Sequence, residues 1–298
     1  MVKKKEIERD SFVSATIAGD SIKITTALGN ENPTMIKFDK DSMLNTKTGE
    51  LVKIKHAKSR TDPKNLRSLR RTFEKIRLLI NANFSGGKNQ LFVTLTYRNS
   101  PMRDTLKLYN DFKIFMARLR NKIESKVAYI VVIEPTAKGG WHAHCLLKRL
   151  DKKSFFISNQ DLASLWRQGF VNVRRIKQSD NIAMYLSAYL SDVDLNNLSD
   201  DVGCNKPKKI IKGGRLSFYP PGMRIYRTSR EGIRQPIKIK GYKEDIQNKY
   251  NLPVAMPDYY KKFDLIRSDG VYTIEVEYYS RKKAKIKQSN IKENANKS

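Results

Sequence analysis

Residues 126–150 read KVAYIVVIEPTAKGGWHAHCLLKRL, and the fold turns on how they are read. KVAYIVVIE is almost wholly apolar and rich in β-branched residues. That is the composition of a strand covered on both faces, and so interior to its sheet. PTAKGG carries a Pro and two Gly and reads as a turn. WHAHCLLKRL reads as the returning strand. Two strands joined so closely must run antiparallel. Alternation along the second strand sends Trp141, Ala143, Cys145 and Leu147 to one face, and His142 and His144 to the other.

The neighbouring segments extend the pattern. LFVTLTY (91–97) is dense in β-branched and aromatic residues and reads as a strand. A helix is expected over about 104–123, with Leu108, Phe112, Phe115, Leu119 and Ile123 along one side. SNQDLASLWRQ reads as a helix opened by Ser158, GFVNVRRI as a strand, and SDNIAMYLSAYLSD as a helix capped by Ser179 or Asp180. The order over 91–191 is β-α-β-β-α-β-α. Helices that alternate with antiparallel strand pairs predict an α+β fold: a central antiparallel sheet with flanking helices, of ferredoxin-like type.

Upstream, SFVSATIAG, DSIKITTALG and TMIKF alternate polar and apolar residues like short strands. DPKNLRSLRRTFEKIRLLINANF then changes to a helical period, with Asp62 as N-cap and Pro63 in the first turn. Leu66, Leu69, Phe73, Ile76 and Ile80 form its apolar side. Arg67, Arg70, Arg71, Lys75 and Arg77 make the rest basic, either a solvated face or a phosphate-contacting one. Beyond 192 the chain is acidic and polar, then loop-rich and basic. FDLIRSDGVYTIEVEYYS predicts a hairpin turning at Asp269-Gly270. The expected organisation is a β-rich extension (1–60), a nuclease-like domain with its leading basic helix (61–192), an accessory region (193–280) and a basic, disordered tail (281–298).

Charge narrows the function. The 298 residues hold 59 Lys and Arg against 30 Asp and Glu, a formal net charge of +29. Such a chain attracts polyanions, nucleic acid first. No apolar run approaches the roughly 20 residues of a spanning helix, and no apolar signal region follows the basic N-terminus. Cys145 and Cys204 make no disulfide framework. A reduced, cytoplasmic protein is the expectation. FSGGKNQ does not fit the phosphate-binding loop of a helicase, so unwinding would fall to a partner.

The chain holds only three His, and two stand at 142 and 144. On a strand their Cα atoms lie about 6–7 Å apart on one face. That suits two ligands of one metal ion; the alternative is a pair of histidines satisfied by hydrogen bonds alone. Glu134 ends the preceding strand and is the candidate third ligand. If it lies opposite His142 it shares the histidine face; if it lies opposite Trp141 it points away. Sequence leaves that register open. A His, His, Glu set suits Mg²⁺ or Mn²⁺. Tyr185 and Tyr189, one helical turn apart, are either a core stripe or nucleophiles for phosphoryl transfer.

Three motifs in this order resemble the HUH endonucleases, in particular the rolling-circle replication initiators of plasmids, phages and integrative elements. LFVTLTY resembles the first, GGWHAHCLL the second and IAMYLSAYLSD the tyrosine helix. The likeness covers roughly 60–240. It implies metal ligation by His142, His144 and Glu134. It further implies nicking of single-stranded origin DNA by Tyr185 or Tyr189, a 5′-phosphotyrosine link, and a free 3′-OH for a host polymerase, with a host helicase as partner. Many members carry Lys three residues after the nucleophile; here those positions are Ala188 and Asp192, so Tyr185 is preferred only as the first of a pair. Arg174 and Arg175, with Arg67, Arg70, Arg71 and Lys75, are the expected DNA contacts. A conjugative relaxase, a single-strand transposase or a non-catalytic DNA-binding protein are the alternatives.

Overall fold

The computed structural model describes residues 6–28, 33–56, 63–99, 101–136, 139–177, 218–220, 222–252, 256–267 and 270–281. They form an α+β protein that divides into two compact units. One draws on 57–234, the other on 1–56 and 235–298.

The first unit is built on a five-stranded sheet. Its strands are β6 (Gln90–Thr96), β7 (Val127–Pro135), β8 (Trp141–Arg149), β9 (Val171–Arg175) and β10 (Tyr226–Thr228), in the order β10-β7-β8-β6-β9. Every pairing is antiparallel. The β7–β8 pair is the one expected from 126–150, and β8 lies at the centre of the sheet. The face carrying Trp141, Ala143 and Cys145 packs under α2 (Thr105–Ile123) and α3 (Asn159–Trp166). Phe112 of α2 meets Tyr129 edge-on at 5.0 Å, and Phe115 meets Trp166 at 6.0 Å. Burying these rings contributes roughly 1.5–3 kcal/mol each.

Caps set the helix ends. The Asp104 carboxylate accepts from the Leu106 and Lys107 amides, and Ser158 accepts from Asp161 N as expected. Helix α1 (Pro63–Asn83) begins at the proline whose fixed φ suits a first turn. Its C-terminal end reaches the sheet through Asn83 and Phe84, near Lys148. Residues 218–234, grouped with the accessory region in the sequence reading, supply β10 to the edge of this sheet. Tyr219 donates to the Ile133 carbonyl at 2.7 Å and its ring lies 5.3 Å from Trp141.

The second unit brings the two ends of the chain together. β1 (Phe12–Ala18), β2 (Ser21–Thr25), β11 (Ile237–Tyr242), β12 (Tyr259–Arg267) and β13 (Gly270–Ser280) form an antiparallel sheet in the order β11-β1-β2-β13-β12. The stretches set apart as 1–60 and 193–280 thus share one sheet. Val13, Ala15, Ile17, Ile22 and Ile24 line its buried face with Ile246 of α4 (Lys243–Lys249). Buried Lys243 pairs with buried Glu277 at 3.1 Å. A separate small sheet holds β3 (Met35–Lys37), β4 (Ser42–Asn45) and β5 (Leu51–Lys53). The β12–β13 hairpin turns one residue earlier than the sequence suggests. Gly270 already pairs with Arg267, so residues 268–269 lie between the strands.

Candidate active site

The open register is resolved by the β7–β8 ladder. Glu134 stands directly opposite His142, and Val132 opposite His144. Cross-strand partners share a face, so Glu134, His142 and His144 project to the same side. The carboxylate reaches diagonally to the second histidine: Glu134 Oε2 lies 2.7 Å from His144 Nε2. Both residues are buried, while His142 is half-buried, with its ring 6.2 Å from that of His144.

The strand on the other side completes the arrangement. Thr96 pairs with His142 and Thr94 with His144. Thr96 Oγ1 lies 2.9 Å from His142 Nδ1, and Thr94 Oγ1 lies 3.2 Å from His144 Nδ1. Each imidazole is therefore held at Nδ1 by a hydroxyl, which leaves Nε2 as the nitrogen turned to a ligand or a carboxylate. A hydroxyl can donate or accept, so it serves either histidine tautomer. With the carboxylate accepting from His144 Nε2–H, neutral His144 accepts at Nδ1 and Thr94 donates. Such buried polar groups cost free energy unless partnered, and here the strand alternation supplies the partners.

The site is shaped by its surroundings. Phe92 stacks on His144 with centroids 5.7 Å apart, and the Arg174 guanidinium lies 4.7 Å from the Phe92 ring centre. Arg174 pairs with Phe92 and Arg175 with Leu91. Of the two arginines in β9, Arg174 is thus on the histidine face and Arg175 on the opposite one. The glycine pair has separate roles. Gly139 has φ +79°, a conformation that favours glycine. At Gly140 a Cβ would come within 2.9 Å of Pro101 Cα and 3.1 Å of Met102 N. That close approach lets Trp141 N donate to Met102 O at 3.0 Å, while the Trp141 indole donates to Arg103 O. Trp141 and Cys145 are buried on the far face, and burial pushes the Cys145 thiol well up.

Arg67, Arg70, Arg71 and Lys75 all fall within α1, where Arg71 and Lys75 are exposed. Tyr185, Tyr189 and the proposed Asp62 cap lie outside the described residues. Thr94 and Thr96 were not singled out as functional from sequence. Their signal was available: two hydroxyls at alternate positions of an otherwise apolar strand, in step with His-Ala-His.

As a donor set, two imidazoles and a carboxylate suit a divalent cation. The threonine contacts are of the kind that orient metal-bound histidines. Among the described residues no three His, Cys, Asp or Glu side chains are gathered around one point; Glu134 instead closes on His144. No helix among the described residues is long and apolar enough to cross a membrane.

Residues 90–194 match a family model for replication-associated proteins of the ORF2 type, a little over a third of the chain. The matched span takes in β6 to β9 and both tyrosines, and it supports a role in the initiation of replication. Neither the curated proteins nor the solved structures contain a match to this chain.

Proposed function

We propose that the chain nicks and rejoins single-stranded origin DNA to initiate rolling-circle replication. The observation that carries this reading is the register of Glu134 against His142, which puts an acid and two histidines on one face of a span matched by a replication family.

In this reading His142 and His144 meet a Mg²⁺ or Mn²⁺ ion through Nε2, and Glu134 gives up its hydrogen bond with His144 to join them. When bound, the ion withdraws charge from the scissile phosphate and orients it. Thr94 and Thr96 hold the two rings at Nδ1, so the ligand nitrogens need little reordering. Arg174, beside Phe92 on the same face, is placed to meet a neighbouring phosphate. The hydroxyl of Tyr185 or Tyr189 attacks phosphorus. A Tyr O–P bond forms, the P–O3′ bond breaks, and the 3′ oxygen leaves with a proton as the primer end. The second tyrosine serves the reverse transfer. The basic side of α1, including Arg67, Arg70, Arg71 and Lys75, contributes phosphate contacts that position DNA without reading it. Host helicase and polymerase act on the products.

One observation favours a second reading. The Glu134–His144 hydrogen bond satisfies both partners without a metal, as a purely structural cluster in a DNA-binding protein would. Incubation with single-stranded origin DNA and Mn²⁺, followed by denaturing electrophoresis, separates the two. Nicking predicts a covalent adduct lost when both tyrosines become Phe. Absence of adduct from the wild-type chain across candidate origins contradicts it. An adduct surviving Tyr185→Phe but lost in Tyr189→Phe reverses the order of the nucleophiles.

A further inference from the structure

The sheet formed by β11, β1, β2, β13 and β12 has one face packed on a core and one face open. The open face is unusual in composition. Register places Phe12 beside Tyr242, and Tyr278 beside Tyr259, on this side. Phe263 follows two residues after Lys261 along β12. Phe12 is 47 % exposed, Tyr242 and Tyr259 each 55 %, and Phe263 39 %. The rings pair with one another: Phe12 and Tyr242 meet edge-on at 5.5 Å, and Tyr259 and Tyr278 lie 5.9 Å apart.

Lysines interleave with these rings. Lys23 stands opposite Tyr278, its Nζ 6.0 Å from the ring centre; Lys261 Nζ is 5.1 Å from Phe263. Lys238 and Lys240 are exposed on β11, on the same side, opposite Thr16 and Ser14. No acid in these five strands shares this face. Their three acids, Asp264, Glu275 and Glu277, all alternate to the other side, where Glu275 meets Lys262 and Glu277 meets Lys243. A solvated strand surface normally mixes both signs of charge. This one sorts them, keeping cations and aromatic rings together.

We infer that this open sheet face binds single-stranded DNA, its bases stacking on Phe12, Tyr242, Tyr259, Tyr278 and Phe263 and its phosphates meeting Lys23, Lys238, Lys240 and Lys261. Rings accept any base because every base presents a flat π-face, and a cationic groove follows the backbone. Bases already stacked inside a duplex do not offer those faces, so the surface selects single strands. Five strands at about 4.8 Å spacing give a platform roughly 19 Å wide, room for several nucleotides. The choice of DNA over RNA rests on the nicking reading above; the preference for a single strand rests on the face alone. Its role there is to hold a displaced or incoming strand, independently of sequence.

The test is fluorescence anisotropy of labelled oligo(dT) with the full chain, in EDTA so that no nicking contributes. Tyr259→Ala and Phe263→Ala each weaken binding at least about fivefold, while binding to a duplex changes little. Tyr259→Trp keeps the affinity, which separates stacking from misfolding. Lys238→Gln and Lys240→Gln each reduce the salt slope by about 0.7. The Ala variants still form the covalent adduct at saturating DNA. Unchanged oligo(dT) affinity in the Ala variants overturns the inference, as does an equal loss for duplex and single strand. Tighter binding of oligo(rU) than of oligo(dT) overturns the assignment to DNA. Ring-dependent oligo(dT) binding by a chain that forms no adduct supports the platform and removes only the nicking reading.

Discussion

The threonines of β6 yield the sharpest prediction, because the two histidines they hold differ in burial. Replacing each Thr with Val keeps the shape and removes the hydroxyl. In Thr94→Val the lost partner belongs to His144, which is buried, so Nδ1 is stranded away from water. An unsatisfied buried polar atom costs about 1–3 kcal/mol. In Thr96→Val the lost partner belongs to His142, which is half-buried, and water can replace the hydroxyl. Its stability cost is then below about 1 kcal/mol. Chemical denaturation at constant m-value reads the difference. Function responds differently. Both rings lose the contact that orients them, so each variant lowers Mn²⁺ affinity or adduct rate about 10–100-fold. The pattern expected is unequal stability with comparable loss of metal affinity. Equal destabilisation, or unchanged Mn²⁺ affinity in both variants, refutes the orienting role.

Other consequences follow from single contacts. Gly140→Ala forces a Cβ against the Pro101 backbone; it destabilises the first unit by about 1–3 kcal/mol, measurable as a lower denaturation midpoint. Lys243→Met strands the Glu277 carboxylate, which is fully buried with the Ile7 amide and the Tyr279 hydroxyl as its other donors. The cost is about 3–5 kcal/mol, read as faster hydrogen exchange in β1 and β13, and adding Glu277→Leu recovers part of it. Burial, reinforced by the hydrogen bond to Asp111, holds the Tyr97 phenol far above its ordinary value. The unfolded chain ionises that tyrosine near pH 10 while the folded chain keeps it neutral, so its contribution is complete below about pH 10 and declines as pH rises further. Denaturation midpoints that fall above about pH 10 in wild type, and less steeply in Tyr97→Phe, are the expected outcome.

Much of the site was legible from local pattern. His142 and His144 share a face because strands alternate, and Trp141, Ala143 and Cys145 fill the core for the same reason. Asp104 and Ser158 mark helix starts because a short polar side chain before an apolar period satisfies free amides. What resisted was non-local. The position of Glu134 depended on where the residues after it turn, and a slip of one residue would have reversed its direction. The partnership of β1 with β11 and of β2 with β13 joins residues more than two hundred positions apart, which no local window contains. β10 is three residues in a loop-rich stretch and carries no period of its own. Thr94 and Thr96 were visible as polar breaks in a strand, yet their role emerged only once β6 was seen to lie beside β8.

The nicking chemistry stands on a divalent ion held at the face of Glu134, His142 and His144. Electron paramagnetic resonance of the full chain titrated with Mn²⁺ tests this without reliance on turnover. The expected result is one bound Mn²⁺ per chain with couplings from two imidazole nitrogens, one coupling lost in His142→Ala and the other in His144→Ala. Mn²⁺ that stays free beside the wild-type chain, or binds equally well when both histidines are replaced, contradicts it.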